Sequence, residues 1–252
     1  MVTRRSTLIG ATAALASIAW NARLIAESDK QRNTLFLTSD DGPEAGTAKL
    51  LDIIERLQVP ITLFMIGMNA SANAEHRSLL VRARKSPWVT IGNHSESHCL
   101  SHYVRCYHDT KSVISDFRRA SNVLGLVSRP IMARGPGRNV WRLPGMRIDD
   151  PVISYKEMGI EDNTDDVLFA SGFYLYGWDV EWQHDARGIP VQTSSAMIER
   201  LAGPVPHSRR PGKVVMLMHD IMMRTAAAAD ELVRIIEGVR ERGSKFARLS
   251  EY

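Results

Sequence analysis

Two histidines four residues apart, His94 and His98, stand in the run Gly-Asn-His-Ser-Glu-Ser-His. On a helical turn this spacing puts both side chains on one face, with Cβ atoms roughly 5–6 Å apart, so both imidazoles can reach one metal ion. Two adjacent carboxylates, Asp40 and Asp41, follow a predicted strand, and such a pair is costly to hold without a cation. Asp41, His94 and His98 then make a site with open positions for water and substrate, as in catalytic metal centres.

This ligand set does not by itself fix the metal or the reaction. Two histidines and a carboxylate also hold the iron of non-haem oxygenases. Asp40, next to the predicted ligand Asp41, offers a base for an attacking water, which a hydrolase needs, and we find no cosubstrate site of the kind an oxygenase requires. Metalloproteases with H-E-x-x-H carry the glutamate directly after the first histidine, whereas Glu96 stands midway between the two. The pattern favours another class of hydrolase.

Three further clusters follow predicted strands. Arg134 is a candidate partner that keeps a catalytic carboxylate ionised, and the Gly-Pro-Gly turn ending at Gly137 can bring a backbone N–H to a developing oxyanion. Trp178 and Trp182 flank acidic residues, and indoles suit the apolar faces of sugars, although they are also ordinary core residues. His219 ends an apolar strand and is a candidate general acid.

The elements that must position these residues alternate between strand and helix. Runs rich in apolar and β-branched residues predict strands at 34–39, 61–66, 89–92, 131–133, 173–180, 214–218 and 246–249. Apolar residues at helical spacing predict helices at 47–57, 75–85, 110–124, 194–201 and 225–242. This alternation predicts an α/β fold with a parallel sheet closed into a barrel, an open doubly wound sheet being the alternative. Every polar cluster falls at the carboxyl end of a strand, where βα-barrels collect their chemistry.

Length and composition indicate one globular domain, which we place at residues 33–252. Hydrophobic residues make up 44% and charged residues 24%, which excludes intrinsic disorder. A formal net charge of +4, without basic and aromatic residues interleaved, argues against a nucleic-acid partner.

Residues 1–26 are predicted to be a signal peptide or targeting segment. Arg4 and Arg5 precede an apolar, small-residue-rich run that is short for a membrane span, and Ser17–Ile18–Ala19 offers a cleavage site. The paired arginines also allow a twin-arginine signal. An uncleaved anchor and a cytoplasmic helix are the alternatives. We expect an exported protein, periplasmic or extracellular, whose mature form has no stable membrane span.

Cys99 and Cys106 are separated by six residues, which is not a zinc-ribbon spacing. The sequence favours a structural thiol at Cys99. A disulfide is the alternative in an oxidising compartment.

Together these clusters resemble the NodB-type polysaccharide deacetylases, carbohydrate esterase family 4. The resemblance spans residues 33–249 and rests mainly on T-x-D-D-G-P at 38–43 and H-S-x-x-H at 94–98. It implies a single-domain, distorted (β/α)7 barrel with parallel strands. It also implies that Asp40 acts as base, that Asp41, His94 and His98 bind zinc or a similar divalent ion, and that His219, after Leu217-Met218, acts as acid.

Two motifs depart from the family pattern. The family's R-P-P-Y-G is here Arg134-Gly135-Pro136-Gly137-Arg138, so the aromatic residue is replaced by Gly137. The family's W-x-V-D is met only in part by residues 178–181, which leaves open whether Asp179, Glu181 or Asp185 orients His219.

The resemblance predicts a polysaccharide N-deacetylase, a hydrolase that removes acetyl groups from N-acetylated sugars of a glycan. An O-deacetylase or deformylase on the same scaffold, or a carbohydrate-binding protein with weakened catalysis, are the alternatives.

Overall fold

The computed structural model of the chain describes residues 32–150 and 163–252; the targeting segment predicted over residues 1–26 lies outside them. The strands are β1 Thr34–Asp40, β2 Ile61–Met65, β3 Val89–Asn93, β4 Ile131–Ala133, β5 Trp141–Leu143, β6 Met146–Ile148, β7 Phe173–Leu175, β8 Val180–Glu181, β9 Lys213–His219 and β10 Lys245–Phe246. The helices are α1 Thr47–Leu57, α2 Gly67–Ser71, α3 Ala74–Lys85, α4 Tyr103–Tyr107, α5 Thr110–Val123, α6 Thr164–Ala170, α7 Ser194–Ala202 and α8 Ala226–Glu241.

The strands form one curled mixed sheet in the order β6-β5-β7-β4-β3-β2-β1-β9-β8, with β10 paired to the start of β1. Along the run from β7 to β8 all pairs are parallel, whereas β5 is antiparallel to both β6 and β7. The chain is thus a single-domain α/β half-barrel, and the predicted fold class is confirmed.

The hairpin of β5 and β6 was not predicted from the sequence. Its turn is Pro144-Gly145, with Gly145 at a φ of 73°, and Leu143 pairs with Met146 across it. Proline restricts φ at the first central position of a turn, and glycine adopts the positive φ required at the second. Pro-Gly in a sequence therefore predicts a turn.

The predicted strand at 173–180 is wrong as a single element. Residues 173–175 pair with β4, whereas residues 180–181 pair with β9 at the other end of the sheet. Side chains hold the backbone of the connection: Arg134 donates to the carbonyls of Tyr176 and Gly177, and Asn139 donates to that of Trp178. Since these carbonyls are engaged by side chains, this stretch crosses between the strands instead of extending either one.

Helix packing follows the predicted apolar faces. Helix α1 buries Leu50, Leu51, Ile53 and Ile54, and the main core lies between the helices and the outer face of the sheet. A smaller cluster that includes Phe36, Trp141 and Tyr252 fills the inside of the curl. None of the described helices has the length and apolarity to cross a bilayer.

The strand register sets the position of the site. Asp40, the last residue of β1, is level with His219 on β9 and with Phe64 on β2. Asn93 at the end of β3 pairs with Ala133 at the end of β4. The polar residues that follow these strands therefore meet at one rim of the sheet.

Candidate active site

The backbone turns sharply where β1 ends. Asp41 has a φ of 74°, a left-handed conformation that aspartate tolerates better than most residues, and Gly42-Pro43 follows through a cis peptide bond. Asn69 donates to the Asp41 carbonyl at 2.7 Å and helps to fix the turn. Asp40 and Asp41 consequently occupy different environments, although they are neighbours in the chain.

Asp41, His94 and His98 lie together at the rim. The Nε2 atoms of His98 and His94 lie 3.2 and 3.4 Å from Oδ1 of Asp41, and one ligand atom from each residue falls within 4.8 Å of the others. Oδ1 is buried but accepts no hydrogen bond of good geometry. Nδ1 of His94 lies 2.9 Å from the Arg134 carbonyl, so a proton there leaves Nε2 with its lone pair toward Asp41. Three converging ligand atoms, one of them an oxygen without a hydrogen bond, fit a divalent metal ion.

The pKa shifts of Asp41 and His98 favour the unprotonated forms that bind metal, whereas that of His94 does not. Burial raises the pKa of Asp41, but His94 and the charges of His98 and His219 outweigh it, so the pKa lies well below its ordinary range. Burial and the charge of His94 lower the pKa of His98 to about 4. Burial also lowers the pKa of His94, yet the carboxylates of Asp40 and Asp41 raise it overall. A metal therefore competes with a proton at His94 alone.

The loop that carries the histidines is not the helical turn that their spacing predicted. Ser95 and His98 have φ values of 64° and 50°, and the left-handed stretch continues to Ser101. The imidazole centroids are nevertheless 5.0 Å apart. Asp116 on α5 holds the loop by accepting hydrogen bonds from the backbone N–H groups of Glu96 and Ser97, both at 3.0 Å. Sequence reasoning missed Asp116, because nothing local distinguishes it from other helical aspartates.

Asp40 is bound by Arg134 as the sequence suggested. The guanidinium Nη1 donates to Oδ1 of Asp40 at 2.8 Å and to Oγ1 of Thr38 at 2.9 Å. Arg134 is 1% exposed and stacks on the Phe64 ring at 4.4 Å. Together with its two carbonyl contacts, these interactions fix the guanidinium on all sides. Oδ2 of Asp40 is directed toward Nε2 of His94, at 3.7 Å.

His219 faces the same centre from β9. Its Nε2 atom lies 4.0 Å from Oδ2 of Asp41, and burial is the largest cause that lowers its pKa. Its Nδ1 atom is buried and has no hydrogen-bond partner within the described residues. The neighbouring ring is that of His184, edge to face at 4.9 Å, which the sequence analysis did not single out.

Two of the carboxylates proposed to orient His219 are used elsewhere. Asp179 accepts the backbone N–H groups of Arg209 at 2.9 Å and Val215 at 2.8 Å. Asp185 accepts backbone N–H groups within its own loop, including that of Ile189 at 2.9 Å. Both carboxylates stabilise backbone turns, so neither orients the imidazole.

Asp220 is a buried carboxyl beneath the site that the sequence did not identify. It is 0% exposed and accepts hydrogen bonds from Ser39 Oγ at 2.5 Å and from Thr47 Oγ1. A Cβ at Gly46 would lie 1.6 Å from the backbone oxygen of Asp220, so only glycine fits there. Asp220 thereby ties β9 to β1 and to the start of α1.

We expect Asp220→Ala to lower the free energy of unfolding by about 2–4 kcal/mol, because two buried hydroxyls lose their acceptor. Asp220→Asn should cost much less, since the amide keeps the volume and can bond both hydroxyls. Urea denaturation of the two variants measures the difference. Equal losses for alanine and asparagine would contradict the role of these hydrogen bonds.

The stability contributed by Asp220 should depend on pH. Burial raises its pKa to about 6; Ser39 and Thr47 oppose the rise, and the charge of Asp41 adds to it. A carboxyl with a raised folded-state pKa contributes stability that is full below its unfolded pKa of about 3.9 and is lost as pH rises through about 6. The stability of the wild type relative to Asp220→Asn should fall by about 2–3 kcal/mol between pH 4 and 7 in chelator. Urea titrations at several pH values measure it; a constant difference would contradict it.

The predicted substrate residues differ in their surroundings. Gly137 has a φ of 65° and lies beside the ring of Tyr103. Trp178 is partly exposed, and its ring lies 5.5 Å from the Arg134 guanidinium carbon. Trp182 is 0% exposed in the main core, where its Nε1 donates to the Gln192 carbonyl. The expectation that Trp182 contacts a sugar is therefore wrong, because the ring has no accessible face.

The expectation of a structural thiol at Cys99 is also wrong. Cys99 and Cys106 form a disulfide with a Cα–Cα distance of 5.5 Å. The bond joins the turn that follows His98 to helix α4. Spacing could not decide this pairing, because the chain between the cysteines has to fold back before the sulfurs can meet.

The sequence profile of the family described as polysaccharide deacetylase matches residues 27–161, more than half of the chain. The chain belongs to this family. The predicted family and hydrolase class are therefore confirmed. A peptidoglycan-N-acetylglucosamine deacetylase of Bacillus cereus is 25% identical over 226 residues, which cover 88% of this chain and 71% of that one.

Solved structures agree with this assignment at the level of the fold. A carbohydrate esterase family 4 esterase of Streptococcus mutans superposes with a TM-score of 0.59 at 24% identity, covering 90% of each chain. The catalytic domain of a peptidoglycan N-acetylglucosamine deacetylase from Eubacterium rectale gives a TM-score of 0.61 at 22% identity, covering 86% of this chain and 89% of that one.

Proposed function

We propose that this protein is a metal-dependent N-deacetylase that hydrolyses the acetamide of N-acetylated sugars in a glycan and releases acetate. The observation that carries the proposal is the placement of Oδ2 of Asp40. This oxygen lies 3.7 Å from Nε2 of His94, beside the three converging ligand groups, while the other oxygen is held by Arg134. A binding protein would need neither this basic oxygen nor a histidine on the opposite side.

Asp41, His94 and His98 would hold the ion, which when bound polarises a carbonyl and makes water more acidic. Nitrogen and carboxylate ligands in this number suit zinc, our preferred metal. The same donors also bind iron, so elemental analysis of the purified protein is required to identify the metal.

Two residues carry out the two proton transfers of the reaction, Asp40 as base and His219 as acid. Asp40 takes a proton from the water that attacks the acetamide carbonyl, and Arg134 keeps this carboxylate in place. The backbone N–H of Gly137 donates to the oxygen that becomes negative. His219, on the other side of Asp41, protonates the sugar nitrogen so that the amine can leave. Base and acid approach the carbonyl from opposite sides, as the two transfers require.

Acetate release from chitooligosaccharides, peptidoglycan and poly-N-acetylglucosamine tests the proposal directly. Metal-loaded enzyme should release acetate from at least one of them and leave free amines, and a chelator should abolish the release. Activity confined to O-acetylated or formylated sugars would replace the N-deacetylase with one of those hydrolases. Glycan binding without any hydrolysis would favour a binding protein.

We also propose that the protein is exported. The basis is the Arg4-Arg5 pair with its apolar run, and the Cys99–Cys106 disulfide, which is typical of oxidising compartments.

N-terminal sequencing of exported protein should begin after Ala19 or a few residues later. If the route is twin-arginine, replacement of Arg4 and Arg5 with lysine should block export, whereas continued export would indicate the general secretory route. An intact N-terminus on soluble cytoplasmic protein would contradict export altogether.

A further inference from the structure

Tyr103 lies between the two loops that carry the proposed chemistry. Its ring is partly exposed and meets the His98 ring edge to face, with centroids 5.6 Å apart and planes at 90°. The ring also lies beside Gly137, where a Cβ would lie 3.1 Å from it. One residue thus touches a predicted metal ligand and the predicted oxyanion donor.

The contact with Gly137 requires glycine for two reasons. The φ of 65° is strained for other residues, and a side chain would press on the Tyr103 ring. The ring therefore packs directly on the backbone beside the predicted oxyanion donor. Any substrate whose carbonyl reaches both the donor and the metal ligands must pass next to this ring.

Helix α4 is fastened by two links near its C-terminal end, which keep Tyr103 in place. The Cys99–Cys106 disulfide closes the segment that contains Tyr103. At the end of the helix, the hydroxyl of the buried Tyr107 donates to the carbonyl of Pro136 at 2.9 Å, in the same loop as Gly137. The position of the ring is thus tied to the metal-ligand loop on one side and to the oxyanion loop on the other.

We propose that Tyr103 is a substrate-binding residue whose ring forms an aromatic wall against the pyranose that carries the reacting acetamide. The inference rests on the proposed function, because it takes the carbonyl to lie between His98 and Gly137. A partly exposed aromatic ring offers the apolar surface that the C–H face of a sugar requires. The wall selects a ring-bearing substrate and leaves the hydrolytic step itself unchanged.

The test compares Tyr103→Ala and Tyr103→Phe on an N-acetylated chitooligosaccharide and on an aryl acetate, which has no sugar. Tyr103→Ala should raise KM for the oligosaccharide roughly 10-fold, equivalent to about 1.4 kcal/mol. Its metal content, its kcat and its rate on the aryl acetate should stay within about twofold of the wild type, because only binding is removed. Tyr103→Phe keeps the ring and should resemble the wild type.

Tyr174→Ala is the matched control. Tyr174, on β7, is also partly exposed, and its ring stacks on that of Phe169 with centroids 5.5 Å apart. It should leave KM unchanged. An unchanged KM in Tyr103→Ala, or an equal loss on both substrates, would overturn the inference. If alanine prevents folding, Tyr103→Leu retains apolar volume and should still raise KM several-fold. Failure of the wild type to deacetylate any sugar counts against the proposed function; equilibrium binding of the oligosaccharide to both proteins then still tests Tyr103.

Discussion

Asp41→Ala, His94→Ala and His98→Ala are each expected to lose bound metal and hydrolytic activity together. Each variant removes one of the groups that converge around Oδ1 of Asp41. Loss of a residue that only supports a ligand typically costs 10–100-fold in metal affinity, so loss of a ligand should exceed about 100-fold. Elemental analysis after dialysis, combined with acetate release, measures both quantities on the same samples.

The fold of these variants should survive, because the main core lies between the sheet and the helices, away from the rim. Their thermal midpoints should approach that of wild-type protein treated with chelator. His207→Ala, at an exposed loop position, is a suitable control and should keep metal and activity. Full zinc occupancy in all three ligand variants would contradict the predicted metal site.

The second large effect is expected at the two residues assigned to proton transfer. Asp40→Asn keeps the volume of the carboxylate and its acceptor for Arg134, but removes the basic oxygen. Metal should remain bound, since Asp40 is not a predicted ligand, while turnover should fall about 10²–10⁴-fold. The exposed Asp52→Asn is the matched control and should be fully active.

His219→Ala should lose turnover in a way that depends on the leaving group. A sugar amine has to be protonated before it leaves, whereas an activated aryl alcohol does not. His219→Ala should therefore be impaired about 10²–10⁴-fold on an N-acetyl sugar and far less on an aryl acetate. Asp40→Asn should be impaired on both substrates, because attack by water precedes either departure.

Both variants have to be compared on both substrates with metal content checked. Equal losses of His219→Ala on amide and ester would remove its role as acid. Retained activity in Asp40→Asn would show that Asp40 is not the base.

The sequence by itself identified the groups that converge at the candidate site and most of the elements that present them. Asp41, His94 and His98 were found from residue type and spacing. Helix 47–57 was predicted with the bounds that the structure shows, because its apolar residues follow the helical period. Strand ends could be located because buried strands are apolar and stop where polar residues begin. Each of these features depends only on residues that are close together in the sequence.

The tertiary structure alone decided which distant groups meet. Asp116 reaches the backbone N–H of Glu96 across 20 positions of sequence, and Asp220 reaches Thr47 across 173. The run 173–180 looks like one strand, yet Arg134 and Asn139 capture the carbonyls in its middle. Trp182 was predicted to contact a sugar, yet its ring is 0% exposed in the main core. The local pattern of apolar residues determines a helix or strand and its buried face. The partner of a side chain depends instead on strand register and on packing between segments that are distant in the sequence.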